Sequence, residues 1–286
     1  MSIKEYVKEQ KELLREQIKK ANNLFSNQPN LLIIQANDDQ ASNAYVNGKV
    51  KDANEIGINA TVVKISNEAL SEAKSVTERT LIISKVIYEN LHKNHGIIVQ
   101  LPLPKDINFE MLKNMIPDDM DVDGFKATSH FKPCTPLGIL DYLEYINFEF
   151  TGKNALVIGR SEIVGKPMAK LLLDKNMNVT IIHSKTSDFD KAKYIENADL
   201  IVVATGHMDT LTDKYTYKDT CVIVDVGINR DKNGKLIGDC ARNLPVKIQT
   251  PVPGGVGLLT RLTLMKNVKL AFDKYMHRVI DNKFNI

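Results

Sequence analysis

The sequence predicts an α/β protein of two domains, each built on a largely parallel sheet. Short apolar runs of strand length alternate with segments of helical spacing, the pattern of strands joined by crossover helices. That rhythm resets once, at Pro133-Cys-Thr-Pro136, and a second series follows. A length of 286 residues fits two domains at about 150 residues each.

Each element has a local reason. Residues 2 to about 25 read as a helix with Ile3, Tyr6, Val7, Leu13, Leu14, Ile18 and Leu24 on one face. Leu31-Leu-Ile-Ile34 reads as a buried strand and Asn37-Asp-Asp39 as the loop after it. Ser42 to Glu55 is helical and stops at Gly57, which suits a C-cap. Thr61 to Ile65 is a strand, and Glu68 to Asn90 carries helical spacing. Gly96 to Gln100 is a strand halted by Leu-Pro-Leu-Pro, because proline cannot donate to a ladder. Beyond Pro136, a helix from Gly138 to Tyr145 leads into strands at Ala155–Gly159, Val179–Ile182, Leu200–Ala204 and Cys221–Asp225. A helix from about Met265 to Arg278 closes the series. The expected first domain is residues 1–137 with the returning helix 265–286, and the second is residues 138–264.

Composition excludes several classes. Lys and Arg number 38 against 35 Asp and Glu, and a net charge of +3 is too balanced for a nucleic-acid or acidic-membrane partner. Three scattered cysteines, Cys134, Cys221 and Cys240, suggest neither a disulfide framework nor a zinc site, and fit a reducing cytoplasm. Cys134 reads as a small buried side chain. The charged N-terminal segment is not a secretory signal, and no apolar run approaches the ~20 residues of a membrane span.

Four segments could carry chemistry. In Ala155-Leu-Val-Ile-Gly159-Arg-Ser-Glu-Ile-Val-Gly165, a strand runs into a glycine, a short loop and a helix. Glycine allows the backbone to approach a pyrophosphate, and the helix start supplies free N–H groups. The next strand ends in His183-Ser-Lys-Thr186, without the carboxylate that holds an NAD ribose, while Arg160 and Lys185 could pair with a 2′-phosphate. This favours NADP over NAD.

In Ser42-x-x-Tyr45-x-x-x-Lys49, a phenol and an ammonium four residues apart share one helix face and can share a proton. Asp119, Asp121, Asp123 and Gly124 match the opening of an EF-hand loop, but His130 stands where its bidentate Glu belongs, so no metal is expected. Thr250-Pro-Val-Pro-Gly-Gly-Val-Gly257 is a fixed loop, poor in side chains, that a flat ligand can approach.

With these segments in order, the chain resembles the bifunctional methylenetetrahydrofolate dehydrogenase/cyclohydrolase family. The matching pieces are Tyr45-x-x-x-Lys49, Val99-Gln-Leu-Pro-Leu-Pro104, Asp121-Val-Asp-Gly-Phe125, Pro133-Cys-Thr-Pro136, Gly159-Arg-Ser-x-Ile-Val-Gly165, His183-Ser-Lys-Thr186, Asp225-Val-Gly-Ile-Asn229 and Thr250 to Gly257. They span nearly the whole chain.

The resemblance implies a folate-binding catalytic domain and a Rossmann-like NADP-binding domain with a deep cleft between them. It implies Lys49 as the catalytic lysine, Tyr45 stacked on the p-aminobenzoyl ring, Gln100 positioning Lys49, and Asp123 on the pterin edge. Leu101, Pro102, Pro253, Gly254 and Gly255 would complete the folate site. Gly159, Arg160, Ser161, Ile163, Ser184, Lys185 and Ile228 would contact NADP.

The implied reactions oxidise 5,10-methylenetetrahydrofolate and hydrolyse the methenyl product to 10-formyltetrahydrofolate. They belong to one-carbon metabolism and serve purine, methionine and histidine synthesis. A cytoplasmic homodimer is expected by the same analogy. A monofunctional dehydrogenase and a non-catalytic NADP-binding module are the alternatives, and the presence of both Lys49 and Gln100 favours retention of the hydrolase.

The chain departs from the family pattern in the short segment Lys126 to Lys132, at Leu258-Leu259, at Gln35-Ala36, and in lacking a recognisable N-terminal Asp-Gly segment. The first two bear on the mouth and wall of the folate site.

Overall fold

In the computed structural model, which describes residues 2–284, the chain runs α1 (Ile3–Phe25), β1 (Asn30–Gln35), α2 (Gln40–Ile56), β2 (Asn59–Lys64), α3 (Asn67–Ser71), α4 (Val76–Asn90), β3 (Gly96–Gln100) and α5 (Phe109–Met115). It continues α6 (Cys134–Tyr145), β4 (Asn154–Ile158), α7 (Gly165–Asp174), β5 (Asn178–Ile182), α8 (Asp188–Asn197), β6 (Leu200–Val203) and β7 (Val222–Asp225). Short strands β8 (Asn229–Arg230), β9 (Leu236–Ile237) and β10 (Ile248–Gln249) precede α9 (Val256–Phe284).

The chain divides into two compact units. The first is Glu9–Lys132 with the chain from Arg261 on, and the second is Pro133–Thr260 with the residues up to Lys8. The junctions after Lys132 and Thr260 lie five and four residues before those expected from the sequence, and the residues up to Lys8, expected in the first domain, belong instead to the second unit. Two local contacts account for them. Tyr6 packs its ring on Tyr142 and Tyr145, with centroids 5.7 and 4.5 Å away, and Thr260 Oγ1 lies 2.9 Å from Thr135 Oγ1.

The first unit holds a parallel sheet in the order β2-β1-β3. β1 and β3 are buried along nearly their whole length and are apolar runs of Leu, Ile and Val, as strands covered on both faces must be. Leu32, Ile34, Ile97 and Val99 pack with Ile83 and Ile87 of α4 and Leu112 of α5.

In α1 the buried stripe is Ile3, Tyr6, Val7, Leu14, Ile18 and Ala21; Leu13 and Leu24 are exposed. Position 13 is turned about 100° from position 14, and Leu24 lies in the last turn, so neither joins the stripe.

The helical spacing over residues 68–90 is realised as two helices, α3 and α4, with a break between them. Ser75 caps α4 by accepting from the Glu78 N–H at 3.1 Å, and Glu78 reaches back to the Lys74 N–H. Such a capping arrangement competes with helix continuation and outweighs the apolar periodicity across it. α9 begins nine residues before the expected start because Val256, Leu259, Leu262 and Thr263 already form its buried stripe.

The second unit holds a five-stranded parallel sheet, β10-β7-β6-β4-β5. One face packs on α6 and α7 through Leu143, Met168 and Leu172, and the other on Ile195, Leu211 and Leu244. From β4 the chain moves to β5 on one side and then to β6 on the other. This is a doubly wound, Rossmann-like order, whose switch point lies outside the carboxyl ends of β4 and β6. Among the described residues no helix is long and apolar enough to cross a membrane.

His95, before β3, is buried, and its Nδ1 accepts the Asn30 N–H at 3.0 Å. Burial lowers its pKa from 6.5 to about 4. The unfolded chain therefore binds the proton more readily, and stability falls as pH drops through that window. We predict a loss on the order of 2 kcal/mol between pH 7 and pH 4.5 from this group alone. Urea unfolding at the two pH values measures it, with His95→Asn, which keeps an acceptor near Asn30, as the control. Equal slopes in the two proteins would refute the assignment.

Candidate active site

The carboxyl ends of β1 and β3 and the helix α2 build a buried polar cluster in the first unit. α2 starts where Asp39 accepts the Ser42 N–H at 2.7 Å, and it stops at Gly57, whose φ of 89° only glycine adopts at low cost. On this helix Lys49 is only 4% exposed. Its Nζ donates to Oε1 of Gln100 at 3.0 Å and sits 5.2 Å from the ring centroid of Tyr45, one turn earlier. Gln100 Nε2 donates to the Leu101 carbonyl at 2.6 Å, which fixes the amide with its oxygen toward Lys49. The Leu101–Pro102 peptide is cis, and the Pro102 carbonyl accepts from Asn37 Nδ2 at 2.8 Å.

Gln35, one of the departures from the family pattern, has a role here. It pairs across the sheet with Gln100, and its Nε2 donates to Asn43 Oδ1 at 2.8 Å, tying β1 to the first turn of α2.

Tyr45, Lys49, Gln100, Leu101 and Pro102 thus come together. Asp123 lies on the loop beside β3, which is held by the Ile97 N–H donating to the Met120 carbonyl; it is 8% exposed. The neighbouring carboxylates are engaged structurally. Asp121 accepts the Lys126 N–H, Asp119 pairs with Arg278, and Asp118 pairs with Lys126. The short segment after Phe125 folds onto this loop: Lys126 Nζ reaches the Ile116 carbonyl, and Ser129 Oγ the Asp121 carbonyl. Leu259 is buried in α9.

In the second unit, Gly159 follows β4 with a φ of 124°, and its N–H donates to the Ile182 carbonyl at 2.9 Å. A Cβ on Gly159 would overlap the Ala204 carbonyl, and one on Gly165 would overlap the Gly159 carbonyl. Both glycines are therefore required for close backbone approach at the switch point. Ser161 Oγ accepts the Val164 and Gly165 N–H groups at the start of α7.

Arg160, Ser161, Ser184 and Lys185 are exposed, Ile163 is half-buried, and Ile228 is 60% exposed on the loop after β7. Among the described residues neither Arg160 nor Lys185 is engaged in an ion pair. A backbone cradle closed to side chains, with two uncommitted cations beside it, fits a dinucleotide carrying an extra phosphate. Pro253, Gly254 and Gly255 form the turn before α9, with a cis Val252–Pro253 bond and a φ of 96° at Gly254.

Sequence reasoning missed two buried ionic clusters. Asp52, one turn beyond Lys49, accepts from Lys11 Nζ at 2.6 Å and lies 2.9 Å from Arg261 Nε. The Arg261 guanidinium lies over Gly48, where a Cβ would collide with it. A glycine inside a helix was the available signal. In the second unit, Asp225 and Asp239 are 3% and 0% exposed and accept from backbone N–H groups of three loops. Burial raises the pKa of Asp225 against those hydrogen bonds.

The doubly wound unit, its glycine cradle and the lysine cluster define a two-domain, dinucleotide-binding enzyme. Residues 133–276 match the family model for the tetrahydrofolate dehydrogenase/cyclohydrolase NAD(P)-binding domain, and residues 1–123 match the catalytic domain of the same family. A bifunctional protein FolD from Staphylococcus aureus is 41% identical over 266 residues, covering 89% of both chains.

Among solved structures, the bifunctional FolD from Campylobacter jejuni superposes with a TM-score of 0.83 at 35% identity, covering 94% of this chain and 96% of that one. The Trypanosoma brucei FolD, complexed with NADP cofactor and inhibitor, gives 0.88 at 25% identity over 96% and 97%. The chain belongs to the tetrahydrofolate dehydrogenase/cyclohydrolase family.

Two stability predictions follow from the geometry. Asp52→Ala removes the carboxylate beside Arg261 and leaves Lys11 with Glu55 alone, 2.7 Å away, and is expected to cost about 3 kcal/mol in urea unfolding. Adding Arg261→Met should recover part of that loss, and simple additivity would show that the pair is not coupled. Gly159→Ala combines left-handed strain with overlap on Ala204 and should cost about 2 kcal/mol or more. An unshifted unfolding midpoint would contradict the cradle geometry.

Proposed function

We propose that this protein is a bifunctional enzyme: an NADP-dependent methylenetetrahydrofolate dehydrogenase and a methenyltetrahydrofolate cyclohydrolase. Family membership supports both activities. The observation that carries the residue-level reading is Lys49 Nζ, buried, hydrogen-bonded to Gln100 and set against the Tyr45 ring.

In this reading, Tyr45 stacks on the p-aminobenzoyl ring and Asp123 accepts from the pterin edge. Leu101, Pro102, Pro253, Gly254 and Gly255 supply flat, largely backbone contacts to the folate. Gly159, Arg160, Ser161, Ile163, Ser184, Lys185 and Ile228 hold the dinucleotide, with Arg160 and Lys185 on the 2′-phosphate. Bound there, NADP⁺ would supply the hydride acceptor for the methylene carbon of the substrate. The protein's contribution to that step is orientation.

Hydrolysis needs proton movement. Water adds to the methenyl carbon, one carbon–nitrogen bond opens, and a proton is released with 10-formyltetrahydrofolate. Lys49 Nζ moves the proton between the water oxygen and the departing nitrogen. Gln100 restrains that amine by accepting one of its hydrogens, and the Leu101 carbonyl restrains Gln100 in turn. General acid–base assistance of this kind contributes about 10²–10⁴-fold. The enzyme acts in one-carbon metabolism, as a cytoplasmic homodimer.

The test supplies 5,10-methylenetetrahydrofolate with NADP⁺ or NAD⁺ and follows cofactor reduction and methenyl decay. We expect reduction of NADP⁺ with formyl product and no accumulating methenyl species. Accumulation would mark a monofunctional dehydrogenase, and no reduction of either cofactor would overturn the reading. Lys49→Met should slow the hydrolysis by about 10²-fold or more. A wild-type hydrolysis rate in that variant would remove Lys49 from the mechanism.

A further inference from the structure

A pair of buried carboxylates stands behind the dinucleotide cradle of the second unit, and the mechanism above gives neither of them a part. Asp239 is fully buried at the end of the β8–β9 hairpin. Its Oδ2 accepts the Thr205 N–H at 2.7 Å, the Gly206 N–H at 2.9 Å and the Thr205 hydroxyl at 2.8 Å. Its Oδ1 accepts Asn229 Nδ2 at 2.8 Å. Asp225, at the end of β7, accepts the N–H groups of Gly227, Asp239 and Cys240 at 2.9, 2.9 and 3.0 Å. The two carboxylates interlock through glycines. A Cβ on Gly227 would collide with the Asp239 carboxylate, and one on Gly238 with that of Asp225.

What Asp239 holds is the cofactor end of the sheet. The Thr205–Gly206 turn follows β6, and the Ala204 carbonyl just before it closes against Gly159. Asn229 opens β8 directly after Ile228, which ends the loop that follows β7. One carboxylate therefore fixes both the turn after β6, which adjoins the glycine turn, and the segment after β7, the next strand out. It acts through charge-assisted bonds in a dry site, where such bonds are strongest.

We propose that Asp239 is a positioning residue for the dinucleotide: its carboxylate anchors the Thr205–Gly206 turn and the Ile228–Asn229 loop against the Gly159 cradle, and so sets cofactor affinity without touching the cofactor. This rests on the NADP reading given above.

The two activities separate this role from a general loss of structure. Hydrolysis of 5,10-methenyltetrahydrofolate consumes only water, so it reports an intact folate site without the cofactor. Asp239→Ala, Asp239→Asn and Thr205→Val are compared with wild type for NADP binding by titration, for the KM of NADP⁺, and for methenyl hydrolysis. Asp239→Ala should weaken NADP binding and raise its KM by about tenfold or more. Asp239→Asn, which keeps one acceptor oxygen, should fall between it and wild type, and Thr205→Val should raise the KM a few-fold. Hydrolysis should stay within about twofold of wild type throughout.

NADP binding that is unchanged in Asp239→Ala overturns the assignment. So does a parallel fall of hydrolysis and reduction with the KM unmoved in both Asp239→Asn and Thr205→Val, because that is the mark of a purely structural group. Wild-type protein that hydrolyses methenyltetrahydrofolate yet binds no NADP overturns the cofactor reading itself, and this assignment with it.

Discussion

The hydrogen bond from Lys49 to Gln100 is the contact on which the first unit's arrangement depends. A lysine on a helix and a glutamine at a strand end meet at 3.0 Å only if the helix and the strand are fixed relative to each other. The sequence provides that restraint in layers. Gln35 ties β1 to α2, Asn37 ties the intervening loop to the Pro102 carbonyl, and the Leu101 carbonyl orients the Gln100 amide. Each of these groups is polar, and each would be costly to bury without its partner. The cluster therefore tolerates few other arrangements, and this is the preorganisation that proton transfer requires.

The second unit meets the same requirement with backbone instead of side chains. Parallel strands end with unpaired N–H groups, and a doubly wound order opens a crevice there. Glycine at 159 and 165 lets that crevice close to backbone distances, and the Asp225–Asp239 pair takes up the N–H groups that neighbouring loops leave unpaired. Burial opposes ionisation of Asp225, while three backbone donors favour it. That balance comes from desolvation and donor count, and a motif alone does not display it.

The strands and the order of α/β elements were legible because buried parallel strands are apolar runs and their helices are periodic. The cluster of Tyr45, Lys49 and Gln100 was legible only through spacing and family resemblance. Helix spacing placed Tyr45 beside Lys49, but nothing local connects Lys49 to a residue 51 positions away. Three kinds of feature were hidden. The α3–α4 break rests on a serine and a glutamate that look like ordinary helix residues. Leu13 and Leu24 belong to the composition of a stripe but not to its angle. Asp52, Arg261, Asp225 and Asp239 are charged residues whose burial is decided by distant partners. A charge in a sequence is read as solvated until its counterpart is found.

That last class has a consequence for how substitutions in this fold act. Asp52 lies one helical turn from Lys49, and Asp239 lies one loop from the dinucleotide cradle; neither is placed in contact with a reacting atom. Removing either takes away a carboxylate that buried donors or cations share, so the local cost exceeds that of a surface change. The two sites differ in what the cost disturbs. Asp52 neutralises side chains packed on the outside of a helix whose backbone bonds are already complete, so its loss falls mainly on stability. Asp239 satisfies loop N–H groups that have no ladder to return to, so its loss falls on loop position. The difference follows from whether the anchored backbone is already hydrogen-bonded to itself, and it separates residues that support the fold from residues that support the site.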